Sequence, residues 1–184
     1  MATARSANTV PLRIVQNGGQ IVSRTRKAGG TKDFKKNSLC QFGPDGKIYP
    51  VPLENNGDYA YINATNWSIH CVAVEDFDYS EDGTAKFIAY QEIDEDTIIE
   101  LQSNGASAVN ASNIGEQKEL RWDGDNSSMC VVRNLAATDP ICEIVDVEQN
   151  WNPWKDESDG KQNLVRVKIL SSVLDNAPST NVHE

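Results

Sequence analysis

The chain has 184 residues, 39% of them hydrophobic and 24% charged, with a net charge of −10. That suits one good core, or two small modules sharing an interface. No run approaches the roughly 18 apolar residues that a membrane helix needs, and the opening MATARSANTVPLRIV lacks the basic and apolar regions of a secretory signal.

Charge is divided unevenly. Residues 1–36 hold eight basic side chains against one acid, Asp33, a local +7 that leaves −17 on the remainder. The acidic bulk would repel a polyanion, and no aromatic residue precedes Phe34 to stack on bases. Sequence-specific nucleic-acid binding is therefore not expected, and an acidic protein surface is the better partner for this segment.

Residues 1–36 read as an extended basic arm. TVPLRIV and GQIVS each carry a few β-branched residues, and NGG, AGG and polar runs punctuate them. The arm is expected to pair or pack against neighbouring subunits through Thr9 to Ile14 and Ile21 to Thr25. Its partner-binding residues are then Arg13, Ile14, Ile21, Arg24, Arg26, Lys27, Lys32, Lys35 and Lys36.

The body, residues 37–170, reads as β throughout. FGPDGKIYPVP gives a Pro-Asp-Gly turn and a short strand, and IHCVAVEDF, TAKFIAYQ and DTIIELQ give three more. SNGASAVNASNIG, at 103–115, is small and polar, allows one helical turn at most, and marks where two subdomains could meet. KELRW, MCVV, PICEIVDVEQ and LVRVKIL are the remaining strands; in the last, Arg166 and Lys168 alternate with apolar residues as on a half-solvated sheet. Residues 171–184 read as a polar tail. The expected fold is all-β, an antiparallel barrel or sandwich of about eight to ten short strands with an extended N-terminal arm.

Chemistry is sparse. DYSEDG, from Asp78, offers Asp78, Ser80, Asp82 and Gly83 in calcium-loop order, but position 9 is Lys86 and position 12 is Ala89, so a turn is the expected role. His70 and Cys71 are adjacent; in a strand they point to opposite faces, with Trp67, Ile69, Cys71 and Ala73 on one side. The acidic run EIDEDT reads as a solvated face. Cys40, Cys71, Cys130 and Cys142 show no zinc spacing and read as free core residues. Four glycosylation sequons, beginning at Asn63, Asn66, Asn110 and Asn126, read as unused. No catalytic residue, cofactor site or metal site is expected. Trp151 and Trp154, in WNPW, are candidate partner anchors or a lid over the protein's own core.

The layout resembles that of tailed-bacteriophage head decoration, or cement, proteins. The likeness lies in the MATA opening with its polar arm, in IHCVAVEDFDYSEDGTAKFIAYQEIDEDTIIEL, and in SNIG followed by ICEIVDVEQNWNPWKDESDGKQNLVRVKIL; it covers roughly residues 60–170. The resemblance implies a structural protein on the outer surface of the capsid. It would bind the major capsid protein and copies of itself as a trimer, with no enzymatic activity and no membrane contact. Alternatives are another virion component, such as a tail or minor capsid subunit, and a carbohydrate-binding β-domain using Trp151 and Trp154.

Overall fold

A computed structural model describes residues 12–16, 23–29, 36–51, 54–56, 59–61, 68–82, 86–103, 109–122, 130–133, 140–148 and 163–174. The protein is all-β and mostly antiparallel. Its strands are β1 (Arg13–Gln16), β2 (Ser23–Lys27), β3 (Leu39–Phe42), β4 (Ile48–Pro50), β5 (Glu54–Asn56), β6 (Tyr59–Tyr61) and β7 (Cys71–Ala73). Then come β8 (Phe87–Glu92), β9 (Ile98–Ser103), β10 (Gln117–Trp122), β11 (Cys130–Arg133), β12 (Cys142–Glu148) and β13 (Leu164–Ile169). Two helical turns, α1 (Tyr79–Asp82) and α2 (Ser171–Leu174), complete the described elements together with a 3-10 turn at Ala111–Asn113. Several strands are only three residues long, which raises their number above the eight to ten expected.

Two sheets result. The large one runs β1-β9-β13-β12-β10-β6-β5, with β11 lying against β10 and β9; the small one runs β2-β8-β7-β3-β4. The small sheet also closes on itself: Ala28, just after β2, forms a parallel bridge with Ile48 on β4, and the Gly29 N–H donates to the Ile48 carbonyl at 2.8 Å. Barrel and sandwich are thus combined, since one face of the small sheet lines its own interior while the other, at β3 and β7, meets the large sheet.

Alternation along β3 and β7 produces this division. Leu39 and Val72 join Ile99, Leu101, Leu120, Val165 and Val167 in the main core, whereas Cys40, Cys71 and Ala73 turn into a second cluster with Ile48, Phe77, Ile88 and Tyr90. Both faces of β3 and β7 are covered, so neither strand shows a solvated side. On β13 the pattern is one-sided, with Val165, Val167 and Ile169 buried and Arg166 and Lys168 half-exposed.

Local chemistry sets the turns. Gly46, at φ 77°, takes the left-handed position of the Pro44-Asp45-Gly46 turn between β3 and β4, where the Gly43 N–H donates to the Lys47 carbonyl. Between β8 and β9, Thr97 is buried and its hydroxyl donates to Asp94 Oδ1 at 2.6 Å, while Asp94, Glu95 and Asp96 face solvent. Asn110 caps the 3-10 turn: Ser112 N–H donates to its Oδ1, and its own N–H donates to Asn113 Oδ1, both at 2.9 Å.

Four expectations are corrected. The first is that segments 9–14 and 21–25 reach out to neighbouring chains. Arg13–Gln16 pairs with β9 and Ser23–Lys27 with β8 of the same chain, and the flanking Leu12 and Ala28 are fully buried. Short β-branched segments with apolar flanks find open sheet edges at home before they find any elsewhere. The second is a subdomain seam near 103–115. The chain passes between the sheets four times, and β1, β5 and β6 belong to the large sheet although they precede that point. The third is that the polar tail begins at 171: Val173 is fully buried in the main core, and its carbonyl accepts from the Ile69 N–H at 3.4 Å. The fourth is the alternation at His70. Ile69 packs in the main core and Cys71 in the second, because strand geometry begins only at Cys71.

Candidate interaction surface

On β9, Ile99 and Leu101 point into the main core, so Glu100 points to the opposite face of the large sheet, where it is 1% exposed. Strand register puts Arg13 of β1 on one side of it and Arg166 of β13 on the other, with Asp146 of β12 beyond Arg166. Four neighbouring strands therefore carry a row of alternating charge, each member directly opposite the next.

Both oxygens of Glu100 are occupied. Oε1 pairs with Arg13, and Oε2 accepts from Arg166 Nε at 3.0 Å. Arg166 also donates to Asp146 Oδ2 through Nη1. Hydrogen bonds to Glu100 and then Asp146 raise the Arg166 pKa above its ordinary value, so the guanidinium stays charged. Lys168 reaches Asp96 at 3.3 Å on the same face. The row is saturated and close to neutral. It offers no nucleophile and no free proton acceptor, and it fastens β1 to the sheet.

Beyond this row lies the strip of β1 that faces outward. Arg13 is 61% exposed at its side chain and Val15 is 40% exposed as a residue. β1 ends the strand order of the large sheet, and among the described residues no strand lies on its far side. An end strand presents backbone donors and acceptors to whatever approaches.

The expected partner-binding residues separate on the structure. Arg13 sits in the charge row at this edge. Ile14 is half-buried and packs against the main core, so it serves the protein's own interior. Arg24, Arg26 and Lys27 lie on β2, the small sheet's strand beside β8. Lys36 is exposed before β3, its N–H donating to Asp76 Oδ1 at 2.7 Å. Ile21, Lys32, Lys35, Trp151 and Trp154 lie outside the described residues.

The other sequence candidates have local roles. Asp82 closes a helical turn: its Oδ2 accepts from Lys86 Nζ at 2.7 Å and from the Asp78 N–H at 3.1 Å. The Lys86 hydrogen bond, with that of Asp78, holds the Asp82 pKa below the ordinary aspartate value. The side chain that stood against a cation thus occupies the carboxylate itself. Among the described residues no group of three His, Cys, Asp or Glu side chains is placed to hold a metal. His70 Nδ1 accepts from the Phe42 N–H at 3.1 Å, and the ring stacks on Phe42 at 5.1 Å. The imidazole there extends the β3–β7 ladder in place of a backbone carbonyl, which puts its own proton on Nε2.

Sequence reasoning missed Glu100 as the centre of the row. The signals available were Glu100 alternating with Ile99 and Leu101, and Arg166 alternating with Val165 and Val167. Which of those strands were neighbours was not readable locally. Comparison with protein-family models, with curated proteins and with solved structures finds no match for this chain.

Proposed function

We propose that the chain is a structural virion subunit, a decoration or cement protein of a tailed bacteriophage. It would bind the major capsid protein on the outside of the shell, associate with copies of itself as a trimer, and catalyse no reaction. The observation that carries this reading is the exposed end strand β1, which is drawn from the basic segment and attached to an acidic body. Backbone groups on such an edge can accept a strand from a partner. The local +7 beside −17 gives copies of the chain opposite charges to present to one another, which steers docking and fixes its register. Closed cyclic symmetry repeats each such contact around the ring and multiplies its effect. The resemblance of layout to decoration proteins over residues 60–170 suggests the class. A sandwich whose outer ion row is internally saturated suits a mechanical part.

Two measurements test it. Native mass determination at low and high salt is expected to give a trimer; a monomer at both overturns self-association. Mass spectrometry of purified particles from the culture that encodes the chain is expected to find it at a stoichiometry comparable with the shell protein. Its absence from those particles overturns the virion assignment.

A further inference from the structure

Cys40 and Cys71 are 31 positions apart in the chain and directly opposite one another across the β3–β7 pair. Directly opposed residues of antiparallel strands point to the same face, with Cα atoms about 4.5 to 5.5 Å apart. That interval falls inside the roughly 4.4 to 6.8 Å that a disulfide spans. Both side chains are fully buried in the interior of the small sheet, and neither is in a disulfide. Cys71 Sγ donates to the carbonyl of Cys40 itself at 3.8 Å, while Cys40 Sγ donates to the Ser38 carbonyl at 3.6 Å. The two thiols thus share one wall of a closed interior.

From this opposition we infer that Cys40 and Cys71 are an oxidisable pair, a site at which a disulfide staples β3 to β7 across the small sheet. The inference stands apart from the proposed virion role. The co-reactant is a small-molecule disulfide of the glutathione type. The thiolate of one cysteine attacks a sulfur of that molecule, whose S–S bond breaks, and one glutathione leaves as thiolate. The second cysteine then attacks the protein sulfur of the mixed disulfide; the bond to the remaining glutathione breaks, and that glutathione leaves. Two protein thiols lose two electrons to one disulfide, and their two protons pass to the two departing glutathione molecules. Because both thiols are buried, exchange proceeds during folding or through opening of the β3–β7 pair. Cys142 does not compete. Its register partners are Lys118 and Ile169, neither a cysteine, and its Sγ donates to the Lys118 carbonyl across a different strand pair.

The test refolds the full-length chain with oxidised glutathione, blocks remaining thiols, and maps disulfides by mass spectrometry without reduction. Before blocking, the expected product is about 2 Da lighter than the reduced chain, the mass of the two hydrogens lost in the exchange. It lacks two of its four thiols and yields one linked peptide joining Cys40 to Cys71. The closed loop of about 30 residues should raise the thermal midpoint by about 5 °C or more relative to the reduced protein. Cys40→Ser and Cys71→Ser should each abolish the linked peptide, and Cys142→Ser should leave it. The wild-type map decides the matter even where a variant does not fold: four intact thiols, or a dominant link through Cys130 or Cys142, overturns the inference.

Discussion

Glu100 shows how a buried charge is tolerated when every oxygen has a partner. Removing it takes the shared partner from two guanidinium groups and leaves Arg166 to Asp146 and Glu148 on β12, so Glu100→Ala should cost about 1–3 kcal/mol in denaturant unfolding. Arg13→Ala should cost under about 1 kcal/mol, since Arg13 is largely exposed and Arg166 still holds the carboxylate. Equal losses from the two variants would mean that the row is not centred on Glu100. A surface carboxylate gives the pH dependence. The hydrogen bond from Lys118, then that from Asn113, lowers the Glu116 pKa below its usual 4.5. A group whose folded value is depressed stabilises above its unfolded value and loses that contribution as pH falls through the folded one. The stability gap between wild type and Glu116→Gln should therefore be full at neutral pH and close below about pH 4.5 in urea titrations. A gap that stays constant to about pH 3 would rule the linkage out. Tyr49 supplies a steric counterpart. Its ring lies against Gly29 and Gly43, where an added Cβ would overlap the ring carbons. Its hydroxyl is tied to Asp45 Oδ2 at 3.0 Å, which limits how far the ring can yield. Gly29→Ala should lower stability by about 1–3 kcal/mol and alter the near-ultraviolet dichroism of the folded protein.

At the scale of elements, strands with a strong local signature were readable from the sequence. TAKFIAYQ, DTIIELQ and LVRVKIL alternate, and Pro44-Asp45-Gly46 carries its turn chemistry in three residues, so β8, β9, β13 and the β3–β4 hairpin fall where expected. Pairing was not readable, because it depends on residues far apart. Arg13 and Glu100 are 87 positions apart, and nothing near Arg13 announces its partner. The basic residues of 1–36 pointed to a segment that leaves the body, yet Leu12 and Ala28 bury β1 and β2 into it. Hence truncation must be placed with care. Removing residues 1–11 leaves every described strand pair intact and should preserve a cooperative thermal transition. Removing residues 1–28 strips both end strands, bares the edges of β9 and β8, and should give aggregation on gel filtration. A well-behaved protein lacking 1–28 would restore the picture of an independent arm.

For the whole molecule, the interleaving of the two sheets matters most. The main core draws on both, from Leu12 to Val173, so the face of the small sheet that carries Leu39 and Val72 and the apolar face of the large sheet cover one another. A single cooperative transition by several probes is the expected behaviour, and pairings this distant in sequence make folding slow for a chain of this size. A second consequence concerns severed chains. A cut at 104–108 leaves β10 to β13 on one piece and β9, with Ile99 and Leu101 uncovered, on the other. Each piece alone is a half-surface seeking its complement, so the two, mixed after separate purification, should reassemble into a native-like heterodimer that holds together without any peptide bond between them.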